Sequence, residues 1–268
     1  MLCVPQFQIQ TITILQVFLP LHLSFKAHLY GYVGSYPICS KSSFKYYVSF
    51  LDDFSRYIWL YPISCKGDVT SIFHKFKIYV ECFFKEKLRA IQSDWGGEYR
   101  PFHKLLQSFS ISHRVSCPHT HQQNDKIERK HRHIIETGLA LLSHAKVPLQ
   151  FWDDTFSMTC YLINRMPTPV LQNNSPFHTL FRREPDYCFL RTFGCACWPN
   201  LRPYNKNKLQ PRSLSCLFLG YSPFHKGYKC LYLPSNRVYI SRDVVFNENS
   251  FPCTSASPPS SLPPNMSM

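Results

Sequence analysis

Pro118-His119-Thr120-His121-Gln122-Gln123-Asn124, followed by Glu128-Arg129-Lys130-His131-Arg132-His133-Ile134-Ile135-Glu136, decides how the chain is read. It sets one carboxylate, Glu128, near the start of a strongly basic helix. A second carboxylate, Asp94, closes the strand-like run Leu88-Arg89-Ala90-Ile91-Gln92-Ser93 and precedes Trp95-Gly96-Gly97-Glu98-Tyr99. An aspartate at a strand end and a glutamate on a cationic helix are suited to magnesium-dependent phosphoryl transfer. Magnesium takes hard carboxylate oxygens and keeps positions open for phosphate and water. The cationic helix would hold a polyanionic substrate.

Outward from that stretch, the pattern alternates between short strands and helices. Strands are predicted over 45–51, 57–63, 87–93 and 112–116. Val69, Ile72, Phe73, Phe76 and Val80 recur at helical spacing, so 68–85 is an amphipathic helix against the sheet. A short helix is predicted over 102–109. Asn124 is placed to cap the helix that carries Glu128. On that helix Ile127, Ile134 and Ile135 mark the packed face, and Arg129, Lys130, Arg132 and His133 project to solvent or DNA. A further helix runs over about 149–165 and stops before Pro167 and Pro169. Its Phe151, Trp152, Phe156 and Leu162 read as core. A linker helix covers 175–185. Short strands at 195–198, 215–219, 227–233 and 237–241 suit a small barrel. The stretch Lys206-Asn207-Lys208-Leu209, with Arg202 and Arg212, offers cations for phosphate.

Composition points the same way. Lys and Arg number 30 against 16 acids in 268 residues, a formal net charge of +14. Such an excess calls for a polyanionic partner, chiefly nucleic acid. The length allows one core-forming domain plus a small module.

These residues resemble a family. Ser93-Asp94-Trp95-Gly96-Gly97-Glu98, the 118–124 loop and Glu128-Arg129-Lys130 are similar to the integrase core of copia-type retrotransposons. So are Leu51-Asp52-Asp53-Phe54-Ser55-Arg56-Tyr57-Ile58-Trp59, Val147-Pro148-Leu149-Gln150-Phe151-Trp152 and Tyr161-Leu162-Ile163-Asn164-Arg165-Met166-Pro167. The segment from Phe193-Gly194-Cys195 to Asp243-Val244-Val245-Phe246 resembles the SH3-like barrel that follows the core. The resemblance spans roughly residues 35 to 250. It implies an α/β fold, with an RNase H-like mixed five-stranded sheet flanked by helices and a small C-terminal SH3-like β-barrel. It also implies joining of element DNA ends to target DNA, Mg2+ or Mn2+ held by Asp94 and Glu128, and homo-oligomers. Direct attack by a water or a DNA 3′-hydroxyl needs no covalent enzyme intermediate. Gln122, Asn124, Lys126, Arg129, Lys130 and Arg132 are the DNA-binding candidates.

The resemblance exposes a defect. The family's core uses three carboxylates, and only the second and third are matched. Residues 1 to 51 contain no Asp and no Glu. One match of the opening strand places Gly31 at the first Asp, another places His28 there, and neither supplies a carboxylate. Gly offers no ligand, and His is a poor ligand for magnesium. Asp52 and Asp53 read as a turn-capping pair with Arg56 as salt partner, not as substitutes. Asp125 stands where the family commonly has Gly. The enzyme class is polynucleotidyl transferase, with activity expected to be lost. A catalytically dead DNA-binding or protein-interaction remnant is the alternative.

The domains expected are a diverged N-terminal segment at 1–27, the catalytic core at 28–187, the SH3-like domain at 188–250 and a disordered Pro/Ser tail at 251–268. The first segment reads as the diverged end of a truncated element, and an incomplete opening strand would leave a raw sheet edge. Its apolar run over 12–25 is too short and broken to span a membrane, and no basic start marks a signal peptide. No membrane partner is expected. The twelve cysteines are scattered and do not form a disulfide framework. His113, Cys117, His119 and His121 do not read as a zinc site, because two of them sit in the substrate-side loop. A nuclear or cytoplasmic, non-secreted location follows.

Overall fold

The strand β3 (Tyr46–Asp52) is buried along almost its whole length, which marks it as interior to a layered structure. A computed structural model describes residues 13–19, 25–32, 38–93, 105–115, 125–223 and 225–255. The chain divides into two units. One comprises residues 1–139 and 149–189, the other 140–148 and 190–268.

In the first unit, β1 (Thr13–Leu19), β2 (Phe25–Tyr32), β3, β4 (Ile58–Ile63), β5 (Ala90–Ser93) and β6 (Ser112–Val115) form one sheet in the order β4-β3-β2-β1-β5-β6, with β2 also paired to β5. β2 runs antiparallel to β3 and parallel to β5, and β6 runs parallel to β5. These five strands are the mixed sheet the sequence leads one to expect. β1 is a sixth, built from the β-branched and apolar run Thr13-Ile14-Leu15-Gln16-Val17-Phe18-Leu19. It pairs antiparallel with β2 along its length and touches β5 at Leu15–Ser93 and Phe18–Ala90. The eight-residue β2 thus has neighbours on both sides, and the raw edge expected from an incomplete opening strand does not arise. Pro62 sits on β4, at the sheet's edge, where a missing N–H costs nothing.

The sheet has a helix layer on each face. α1 (Val69–Phe84) buries Val69, Phe73, Phe76 and Val80 against Val48, Phe50 and Ile91. Phe50 and Phe76 stack with ring centroids 3.8 Å apart. A short helix, α2, includes residues 105–108 and adds Leu106 to this core. On the other face, α3 (Asp125–Ala145) and α4 (Trp152–Ile163) cover Tyr47, Leu51 and Ile58 with Ile134, Trp152, Phe156 and Ile163. Phe151, Trp152 and Phe156 are core, as their spacing implies, and Ile163 is more buried than Leu162. Asn164 ends α4 by a two-way bond to the start of β4. Its Oδ1 accepts from the Ile58 N–H at 2.9 Å and its Nδ2 donates to the Ile58 carbonyl at 2.7 Å. α5 (Pro176–Phe181) is shorter than the linker helix expected, and Ser175 caps it.

The second unit is an antiparallel sheet in the order β10-β9-β8-β7-β11: β7 (Ala196–Pro199), β8 (Cys216–Tyr221), β9 (Tyr228–Tyr232), β10 (Arg237–Ser241) and β11 (Val244–Asn247). Gly220, at φ 127°, takes up the register shift between β8 and β9. Cys195, Cys197, Cys216 and Cys230 are all buried in its core. Burial pushes the Cys195 and Cys216 thiols up to about 12, so they act as small apolar side chains. β11 was not anticipated as a strand. No helix among the described residues is long and apolar enough to cross a membrane.

Gly138 sets how closely α3 and α4 approach, since a Cβ there would lie 2.5 Å from the ring of the fully buried Phe156. Gly to Ala in an exposed helix gains about 1 kcal/mol. Overpacking a filled core costs about 1–3 kcal/mol. Gly138→Ala should therefore lower stability by on the order of 1 kcal/mol in urea unfolding. A stabilised variant would show that the two helices can separate freely.

Candidate functional site

The rotation of α3 is fixed by the side it packs, and that sets the position of Glu128. His131, Ile134, Gly138 and Leu142 recur at three- and four-residue intervals, and all are buried. The other side carries Arg129, Arg132, His133 and Glu136, all exposed; Glu128, exposed as well, stands one turn before His131 at the edge of the buried stripe. Two residues of the basic run stand apart from the rest. Lys130 does not project outward with its neighbours but is half-buried. Desolvation pushes its ammonium down to about 8, and Arg56 pushes in the same direction. The second is His131, which the sequence reading assigned to neither side and which faces inward. Its ring stacks on Tyr47 at 5.9 Å between centroids, and desolvation pushes its pKa down to about 4. The signal was present in the spacing, since 131 falls between 127 and 134 on the apolar side.

Of the other candidates, Asp94, Gln122 and Asn124 lie outside the described residues, as does the side chain of Lys126. Lys126 itself falls in the first turn of α3. Asp125 opens the same helix, so it needs no glycine-like conformation, and an acid there complements the helix dipole.

Strand register sorts the positions of β2 by face. β3 turns Val48 and Phe50 toward α1, and Tyr47 and Leu51 toward α3 and α4. On β2, Gly31 pairs with Val48, Tyr30 with Ser49 and Tyr32 with Tyr47. Paired residues share a face and successive residues alternate. Positions 28, 30 and 32 therefore belong to the α3 face, and positions 29 and 31 to the α1 face. The pairing with β5 agrees: Ala27 is opposite Ile91, a member of the α1-side core, and His28 is opposite Gln92. Gly31 thus lies on the face away from Glu128. His28, Tyr30 and Tyr32 lie on the same face as α3, and none is a carboxylate.

Asp52 and Asp53 are turn residues. The Asp52 Oδ2 accepts from the Ser55 N–H at 2.7 Å and the Ser55 hydroxyl at 2.5 Å, and Asp53 pairs with Arg56. Asp52 is fully buried, and desolvation raises its carboxyl to about 7 against the pull of the Ser55 bonds. No cluster of three or more metal-ligating side chains occurs among the described residues. For a two-ion site the residue types do not fit: the α3-face positions of β2 are Lys26, His28, Tyr30 and Tyr32, and none is the carboxylic residue a bridging ligand needs.

Comparison with known proteins fits this architecture. Residues 32–121 match the integrase core domain and residues 195–259 the retroviral polymerase SH3-like domain. The chain is 49% identical over 225 residues to the retrovirus-related Pol polyprotein from transposon RE1 of Arabidopsis thaliana, covering 84% of this chain and 15% of that one. It is 37% identical over 218 residues to the corresponding polyprotein from transposon TNT 1-94 of Nicotiana tabacum, covering 81% and 16%. The chain belongs to the copia-type retrotransposon integrases. It spans about 15% of the length of the polyproteins it matches. Among solved structures, the simian T-cell lymphotropic virus intasome in complex with PP2A regulatory subunit B56 gamma is a distant likeness. It shares 13% identity at a TM-score of 0.43, over 76% of this chain and 72% of that one.

The two buried ionisable groups on β3 and α3 act on stability with opposite signs. Asp52, raised from 3.8 to about 7, contributes fully below pH about 4 and loses that contribution as the pH climbs to 7. His131, lowered from 6.5 to about 4, contributes fully above pH 6.5 and loses it as the pH falls toward 4. Between those limits the two slopes largely cancel. His131→Gln should leave an integrase core whose unfolding free energy, from urea titration, falls as pH rises from about 4.5 to 6.5, and Asp52→Asn one whose unfolding free energy rises, each by on the order of 1–3 kcal/mol. Unfolding free energies displaced from the parent by a constant amount, with no change of slope, would show that neither ionisation is linked to folding.

Proposed function

We propose that this integrase core binds DNA and does not by itself complete strand transfer. The observation that carries the reading is the register of β2. Its positions on the α3 face are Lys26, His28, Tyr30 and Tyr32, so the first carboxylate of an Asp-Asp-Glu set has no counterpart to go with Asp94 and Glu128. No step through metal is assigned, because the donor set is incomplete. What remains is the binding surface. Arg129 and Arg132 stand exposed on α3 beside Glu128, in a chain of net charge +14. Element ends and target DNA are the partners proposed, in homo-oligomers and in the nucleus or cytoplasm, with Gln122, Asn124 and Lys126 shortly before these arginines in the sequence.

The test is strand nicking and end joining with magnesium or manganese, run beside DNA binding. The intact chain should bind duplex DNA without cutting it. Arg129→Ala with Arg132→Ala should weaken binding across all sequences and reduce the salt slope by about two. Gly31→Asp should remain inactive, being on the α1 face, whereas an Asp at position 28, 30 or 32 is where activity can return. Cutting by the intact chain that disappears in Glu128→Gln would overturn the inactive reading.

A further inference from the structure

The C-terminal unit holds an open groove of about 640 Å³ that the integrase core does not use. Its walls include Trp198, Asn200, Arg202, Arg212, Ser213 and Asp243. Three features point to a ligand. Arg202 and Arg212 are exposed, and among the described residues neither guanidinium meets a carboxylate. The acid nearby, Asp243, is taken by Arg242 at 3.2 Å, so it does not neutralise them. The Ser213 hydroxyl is buried behind this wall, has no hydrogen-bond partner among the described residues, and is not open to the groove. Trp198 is half-buried on β7, and the groove is lined beside it by Val244 and by Val245, which is 69% exposed.

Two guanidiniums that meet no carboxylate among the described residues, and an indole lining the same groove, match a phosphate attached to a base. Guanidinium forks bind phosphate oxygens in pairs. An aromatic side chain accepts any unpaired base by stacking, worth about 1–3 kcal/mol per base. We propose that this groove seats an unpaired nucleotide of a nucleic-acid strand, with the phosphate on Arg202 and Arg212 and the base on Trp198. A base inside a blunt duplex is already stacked and cannot enter. The groove therefore distinguishes frayed or overhanging ends from duplex interior. The inference rests on the chain being a nucleic-acid binder.

The full chain is titrated with a fluorescently labelled blunt duplex, and with the same duplex bearing a short single-stranded overhang. The parent should prefer the overhang. Trp198→Ala should cut that preference by about tenfold and leave blunt binding unchanged, and Trp198→Phe should recover part of it. Arg202→Ala with Arg212→Ala, both at exposed positions, should weaken overhang binding and lower its salt slope by about one to two. Parent-like overhang binding in the arginine variant, or in a folded Trp198→Ala variant, would overturn the groove while leaving DNA binding by the core intact. A parent that binds neither probe would overturn both.

Discussion

Tyr47 ties the helix that bears Glu128 to the sheet. Its ring stacks on His131, meets Phe156 edge-on at 5.7 Å and lies 6.4 Å from Trp152, so one residue of β3 contacts both α3 and α4. His131 is three residues beyond Glu128, less than one turn away. The inward anchor therefore fixes the rotation of α3 and with it the direction in which Glu128, Arg129 and Arg132 point. Gly138 lets α4 come close enough to complete that contact, and Asn164 locks the end of α4 to β4. Buried aromatic pairs of this kind add about 0.5–1.5 kcal/mol each beyond their area, and their larger effect here is orientation.

That anchoring separates two tasks that a charge count merges. Lys130 and His131 belong to the same basic run as Arg129 and Arg132, yet they face the protein. Their ionisation is governed by desolvation, which lowers both. Arg129 and Arg132 remain exposed to water. The effective cationic surface of α3 is thus narrower than its sequence, and it lies alongside the carboxylate. The same logic applies to β2. Its composition lacks acids wherever one looks, but only its alternate positions, Lys26, His28, Tyr30 and Tyr32, share the face of α3.

In the C-terminal unit the buried thiols of Cys195, Cys197, Cys216 and Cys230 take the place of larger aliphatic side chains, around Phe218 and Leu217. β11 pairs with β7 alone, and Val245 points away from the core on that edge. The groove beside Trp198 lies along this pairing, where Asn200 N–H bonds the Asp243 carbonyl and Leu201 N–H bonds the Arg212 carbonyl.

Periodicity alone was enough for α1, whose buried Val69, Phe73, Phe76 and Val80 follow the spacing, and for β3, β4, β8, β9 and β10. Each of these carries an apolar pattern long enough to name its own period. The same local signals exposed the missing acid, because the absence of Asp and Glu from residues 1 to 51 needs no fold to be seen. β1 and β11 were hidden for physical reasons. β1 is an apolar run without alternation, and β11 has four residues, too few to define a period. Gly31 and His28 were equivalent in sequence because a strand's two faces are assigned only by its partners. Only pairing with β3 and β5 put position 31 with α1 and position 28 with α3. Likewise the inward turn of Lys130 and His131 was decided by what covers them. Charge is written in the sequence, but desolvation is a property of the neighbours that folding brings.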